Sequence, residues 1–217
     1  MIRIPYLKID FDFPLKPYET NKLRRQVIAL TKGNEVLYHN HIKDGYRYDY
    51  PLIQYKSIRQ TASILYLADG IEGVPALYNQ LAESNSFNHL KIKKIHSYNY
   101  PAHFYQSGLK YKLINWLPLN GENFIKYKQL KTQEEKEQML KTLFVANVVS
   151  FAKGTGWNLH GEIEIFDFKL LNEKWISFKN IKFLGFNVEL TTNVFLPPYV
   201  GLGKGAAHNY GVVYHYN

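Results

Sequence analysis

An α+β fold with antiparallel sheets and helices on one face is what this sequence predicts, and three observations predict it. A period of two in hydrophobicity opens the chain, and a helical period follows it directly. The order β-α-β-β-α-β then fills about the first hundred residues, which is the ferredoxin-like (RRM-like) order. The second half begins β-α-β-β and closes in strands instead of a second long helix. Two tandem modules, 1–100 and 101–217, are therefore expected, the second modified at its C-terminal end.

The elements follow in order. Leu7, Ile9, Phe11 and Phe13 alternate with Lys8, Asp10 and Asp12, the signature of a half-buried strand that Pro14 and Pro17 end. Between Glu19 and Lys32, Leu23, Val27 and Leu30 recur at helical spacing, and Gly33-Asn34 supplies a stop. Residues 34–49 carry no clear apolar period and contain Asp44-Gly45, so they read as a loop or a hairpin tip. Tyr50–Lys56 and Ser63–Leu67 read as strands. Ile71, Val74, Leu77, Tyr78 and Leu81 make one helical face, and Leu90, Ile92 and Ile95 start another strand. Pro101 and a Gln106-Ser107-Gly108 turn mark the expected boundary, with a strand over Leu109–Leu117 beyond it.

The clearest helix comes next. Thr132 with Glu135 forms a capping box, and Glu134, Glu135 and Glu137 complement the positive end of the helix dipole. Leu140, Leu143, Phe144, Asn147, Val148 and Phe151 form a broad core-facing stripe, and Gly154 and Gly156 stop the helix. Residues 159–195 are strand-like, with expected breaks at Asn172, Asn180 and Gly185.

Composition narrows the function. The chain has 217 residues, 27 Lys and Arg against 18 Asp and Glu, and a formal charge of +9. A hydrophobic fraction of 46% excludes a disordered tail, and the absence of Cys excludes disulfide scaffolds, thiolate metal sites and a cysteine nucleophile. No apolar run approaches the roughly 20 residues a membrane helix needs, and Lys8, Asp10 and Asp12 interrupt any signal-peptide core, so a cytoplasmic protein is expected. The positive surplus favours a polyanionic partner. Lysines stand beside aromatics at Lys91–Lys94 with Tyr98 and Tyr100, at Lys110-Tyr111-Lys112 and at Lys126-Tyr127-Lys128. Stacked bases and neutralised phosphates use this mixture, although the solvent face of any strand also alternates this way.

The most unusual segment is Pro197–Val213, with glycines at 201, 203, 205 and 211. Glycines let the backbone approach a phosphate closely. A P-loop does not fit, because Gly205 follows Lys204 where Ser or Thr is needed. A dinucleotide fingerprint does not fit either, because no long helix and no later acid follow.

Gly201-Leu202-Gly203 and Asn209-Tyr210-Gly211 resemble the glycine-rich loop of the CRISPR-associated repeat-RNA endoribonucleases, the Cas-six family of the RAMP superfamily, with Asn209 where that pattern has Gly. Asn is the side chain that best tolerates a positive φ there. Glu35–His41 and Tyr48–Lys56 are similar to the bacterial branch of that family. The resemblance implies metal-independent cleavage of single-stranded or hairpin CRISPR repeat RNA. The 2′-hydroxyl attacks the adjacent phosphate, leaving 2′,3′-cyclic phosphate and 5′-hydroxyl ends. It implies no cofactor and no metal, and it leaves room for other CRISPR-associated proteins as partners.

The same resemblance places the chemistry after the first helix. His41 is expected as general base or acid and His39 as second choice, since imidazole titrates nearest neutrality. Lys43 or Lys56 stabilises the charged phosphorane, with Tyr38 and Arg47 nearby. Lys56, Arg47, Gly201, Gly203, Lys204, Gly205, His208, Asn209 and Gly211 are expected to contact RNA. Other readings stand beside this one. A non-catalytic RNA-binding subunit of the same superfamily fits the loop departures at Ala206, Ala207 and Asn209, and a ferredoxin-like domain with a small ligand fits the fold alone. His39 and His41 with Asp44, or Asp10 with Asp12, are alternative metal positions. His89, His96, His103, His160 and His215 read as ordinary surface or core residues.

Overall fold

The computed structural model describes residues 2–31, 38, 41–42, 45–46, 49–83, 90–178 and 180–216, with backbone alone at 41–42 and 45–46. Ten strands and four helices lie within them. β1 (Arg3–Pro14) leads through a short 3-10 turn at Pro17–Glu19 into α1 (Thr20–Leu30). β2 (His41–Ile42) and β3 (Gly45–Tyr46) pair as a minimal antiparallel hairpin inside the segment read as loop or hairpin tip. β4 (Ile53–Ile58), β5 (Thr61–Leu67), α2 (Val74–Glu83) and β6 (Ile92–Pro101) complete the first module. The second module is β7 (Phe104–Trp116), α3 (Gly121–Gln129), α4 (Gln133–Gly154), β8 (Ile165–Phe178), β9 (Ile181–Val194) and β10 (Val212–His215).

The two sheets are the same sheet twice. The first runs β4-β5-β1-β6 and the second β10-β7-β9-β8, antiparallel throughout. Numbered within each module, both orders are 4-1-3-2, the ferredoxin-like arrangement. Where the second crossover helix would stand, the second module has the glycine-rich segment 195–211. No helix among the described residues is long and apolar enough to cross a membrane.

Burial explains the joint between the modules. Leu23, Val27 and Leu30 of α1 and Leu77 of α2 pack on Ile9, Phe11, Ile64 and Tyr66, on the helix side of the first sheet. The opposite face is not left to solvent. Ile4, Tyr6, Ile58, Leu65 and Leu67 join the C-terminal core of Trp116, Phe144, Val148, Phe151 and Phe186 in one cluster. β5 is consequently buried on both sides, and its run Ala62–Leu67 has no polar face to alternate with. Tyr50 crosses the joint, its ring 5.3 Å from that of Phe151, edge to face. Gly154 makes that possible, since a Cβ there would lie 2.6 Å from the Tyr50 Cβ.

Several elements depart from the sequence expectation, each for a local reason. Gln106-Ser107-Gly108 is not a turn but part of β7, at a register shift between Phe104 and Leu109. The chain reverses instead at Ala102 and His103. Asn180 is the real hairpin turn between β8 and β9, with φ of +62°. Asn172 marks a register shift, and Gly185 lies inside β9, where a Cβ would collide with Ile176. Tyr78 is 59% exposed, because it sits next to buried Leu77 and not one turn from it. α3 was not anticipated. It buries only Tyr127, too thin a stripe to read, and its signals were the Asn120 cap on the Asn123 N–H and the Glu122–Lys126 pair. The Thr132 capping box is present as expected, in both directions.

Candidate functional site

The glycine-rich segment is a clamp between the modules before it is anything else. Tyr199–Leu202 pairs back on Gly211–Val213 through Tyr199 N–H to Val213 O (2.8 Å), Leu202 N–H to Gly211 O (2.9 Å) and Val213 N–H to Val200 O (2.9 Å). Its far side lies along edge strand β4, where the Tyr55 N–H donates to Ala207 O at 2.8 Å in a parallel bridge. The loop thus covers a strand edge that would otherwise be open.

Side chains of the first module complete the clamp. Gln54 Oε1 accepts the Gly201 N–H (2.8 Å), and its Nε2 donates to the Tyr50 hydroxyl, which donates onward to Gly201 O (2.8 Å). Asn209 Oδ1 accepts the Ser57 N–H at 3.1 Å. Lys56 is 0% exposed and its Nζ donates to Ala206 O at 2.7 Å. With no carboxylate bonded to it among the described residues, burial pulls its ammonium down to about 7.

The glycines are explained by this packing. A Cβ at Gly211 would stand 2.0 Å from Leu202 O, and one at Gly201 2.4 Å from Ala206 O and 2.8 Å from Lys56 Nζ. Asn209 holds φ of +61°, the conformation expected of the residue that replaces a glycine, and its side chain adds a bond no glycine makes.

These positions revise the expected RNA contacts. Lys56, Gly201, His208, Asn209 and Gly211 are buried, so they shape the loop from behind instead of facing solvent. The His208 ring packs 5.5 Å from Phe178 at the end of β8. Gly203 and Gly205 are half-buried and Lys204 is exposed, its Nζ 4.5 Å above the Phe183 ring of β9. The loop therefore meets solvent chiefly at Gly203–Gly205, with Ala207 and Tyr210 half-buried beyond it.

A cleft of about 250 Å³ opens beside it, lined by Asp49, Tyr50, Leu117, Asn120, Asn147, Ser150, Gly203 and Lys204. It draws on both modules. Its floor is firm: the Trp116 indole N–H donates to Asn147 Oδ1 at 2.8 Å, and the Lys204 N–H to Leu117 O at 3.0 Å. Asn120, on the wall, is also the cap of α3, so the positive end of that helix faces the same region.

The expected catalytic residues divide into two groups. Tyr38 is buried in the helix-side core of the first module, its hydroxyl donating to Gly73 O at 2.6 Å. Burial, only partly offset by the Tyr66 hydroxyl, pushes its phenol up to about 12. Its hydroxyl is bonded within that core and does not face solvent. His39, Lys43 and Arg47 lie outside the described residues. The His41 backbone is in β2, paired with Tyr46 of β3. Three peptide steps separate Tyr46 from Asp49 on the cleft wall. Paired Cα atoms lie within ~5.5 Å and three steps span at most ~11 Å, so the His41 Cα is no more than about 16 Å from that of Asp49.

Asp10 and Asp12 point to the same sheet face but are not a free carboxylate pair. Asp10 accepts from Lys8 (2.6 Å) and Ser63 (2.6 Å) and lies 3.1 Å from His96 Nε2. Burial works against its charge, but the Lys8 and Ser63 hydrogen bonds outweigh it and hold the carboxyl below its usual value. Asp12 lies 3.9 Å from the Lys93 ammonium. His215 packs 5.0 Å from the Tyr111 ring with Nε2 2.7 Å from Leu196 O, and burial lowers its pKa.

Comparison with known proteins agrees with this architecture. Residues 1–98 match the family model of the Cas6b N-terminal domain, and residues 103–216 that of the Cas6b C-terminal domain. An uncharacterized protein of Methanocaldococcus jannaschii, MJ0978, is 31% identical over 111 residues, covering 48% of this chain and 71% of that protein. A crystal structure of Cas6b superposes with a TM-score of 0.84 at 25% identity, over 99% of this chain and 100% of that one. The crystal structure of a CRISPR RNA processing endoribonuclease, also Cas6b, superposes at 0.76 and 22% identity, with 99% and 100% coverage. A loop that locks two ferredoxin-like modules together, in a chain matched by both domain models, places it in one family: the chain belongs to the Cas6b family.

Proposed function

We propose that this protein is an endoribonuclease that matures CRISPR RNA by cutting repeat transcripts, without a metal, through attack of a 2′-hydroxyl on the adjacent phosphate. The observation that carries the reading is the joint itself. The glycine loop is fastened to β4, and β4 follows directly on the β2–β3 hairpin that bears His41. In this reading a phosphate held at Lys204 and the α3 N-terminus lies in a cleft whose wall, at Asp49, is within about 16 Å of the His41 Cα.

In this reading His41 takes the proton of the attacking hydroxyl or gives one to the departing 5′ oxygen, and His39 serves as its partner. Lys43 and Lys204 offset the charge that builds on the phosphorane. Lys56 acts one layer below, holding Ala206 O and with it the presentation of Gly203–Gly205. The membership in the Cas6b family supports the substrate class, and the +9 charge supports a polyanion.

The test is cleavage of the cognate repeat RNA in EDTA with analysis of the ends. Cyclic-phosphate and 5′-hydroxyl products are expected, with a loss of at least a hundredfold in rate for His41→Ala and His39→Ala combined, the usual size of acid–base catalysis. Tight binding of intact RNA by the unaltered protein would instead identify a non-catalytic RNA-binding subunit.

A further inference from the structure

Among the lysine–tyrosine clusters, two bury their rings. Tyr111 and Tyr127 are core residues, and only their flanking lysines face water. The cluster on β6 is different. β6 is an edge strand, and Lys94, His96, Tyr98 and Tyr100 alternate onto the face opposite the helices. Tyr98 is 49% exposed.

These rings are arranged, not scattered. His96 and Tyr98 lie nearly parallel at 16°, with centroids 6.5 Å apart, and Tyr98 and Tyr100 at 24° and 5.4 Å. Tyr100 then meets Phe195 at 5.2 Å, and Phe195 meets His215 at 5.6 Å. A row of rings thus runs from the first module onto the second. Its first ring is fixed from behind, since His96 is tied to Asp10, which Lys8 and Ser63 also hold.

The charge of this edge is positive. Lys8 balances Asp10 and Lys93 lies beside Asp12, which leaves Lys91 and Lys94 exposed and unopposed by these two carboxylates. An exposed ring, Tyr98, held in an ordered aromatic row and flanked by lysines, suits an unpaired base that stacks on it while its phosphate lies near a cation. A paired duplex hides its base faces and has no use for such a row.

From this we infer that the β6 edge, centred on Tyr98, is a second RNA site that binds an unpaired stretch of the transcript by base stacking, apart from the cleft at Lys204. The inference rests on the reading of the chain as an RNA-processing protein, because the ligand class is taken from it.

The test is fluorescence anisotropy with a labelled decaadenylate, an oligomer without a hairpin, at low salt. Tyr98→Ala and Tyr98→Leu should each bind it about fivefold or more weakly, the loss of one stacked base, whereas Tyr98→Phe should bind as the unaltered protein does. Equal binding by all four proteins overturns the inference, and so does an equal loss in the Phe variant, which keeps the ring. Cleavage of the repeat is scored separately. Cyclic-phosphate products with no Tyr98 effect sink the second site alone, and a ring-dependent Tyr98 effect without cleavage sinks the nuclease alone.

Discussion

Replacing Lys56 by Met tests the clamp directly. The ammonium is fully buried, donates to the Ala206 carbonyl, and has its pKa pulled to about 7 by burial. In the unfolded chain the same group titrates near 10.4. Between these values the unfolded state holds more protons than the folded one, so stability rises with pH across the window and is flat below it. From pH 7 to pH 9 the difference integrates to about 1.7 protons·pH units, which at ~1.36 kcal/mol each is about 2 kcal/mol. Above pH 9 the buried tyrosines, held protonated by burial, begin to act in the opposite direction. The assay is urea unfolding at pH 7 and pH 9. The unaltered protein should gain about 2 kcal/mol on going to pH 9, and Lys56→Met should lose that gain while keeping the aliphatic stem. Met leaves Ala206 O without its donor, a cost of roughly 1 kcal/mol that does not depend on pH. Identical pH dependence in the two proteins would refute the reasoning.

Asn209 separates conformation from hydrogen bonding. Asn209→Gly keeps the positive φ and loses the bond to the Ser57 N–H, whereas Asn209→Ala loses both, so thermal unfolding should rank Ala below Gly by ~1 kcal/mol. Thr132→Ala removes one half of the α4 capping box and should cost about 1 kcal/mol by chemical denaturation. The same change should leave binding of RNA intact, since Thr132 does not line the cleft and stands about 22 Å along α4 from Asn147.

The elements with strong local signals were legible. The period of two in β1, the stripe of α1 and the Thr132–Glu135 box each depend on neighbours a few residues apart, and each appears where expected. Gln106-Ser107-Gly108 misled because turn residues and bulge residues have the same chemistry, and only pairing with β9 distinguishes them. The glycine loop is conspicuous in the sequence, but its packing against β4 is not. Gly201, Gly211 and Lys56 look like phosphate ligands until β4 is placed against them.

By itself the sequence determined the module order and the positive φ at Asn209, because local spacing carries both, and its resemblance at the loop and at Tyr48–Lys56 pointed to the family. Which lysine meets solvent was decided by tertiary structure alone. Lys56 and Lys204 are the same residue type and both stand at the glycine motif in space, yet one is sealed beneath the loop at Ala206 and the other lies over Phe183 at the cleft. That difference arises from contacts some 150 residues apart in the chain, such as Lys56 with Ala206, and burial of this kind leaves no periodicity for a sequence to show.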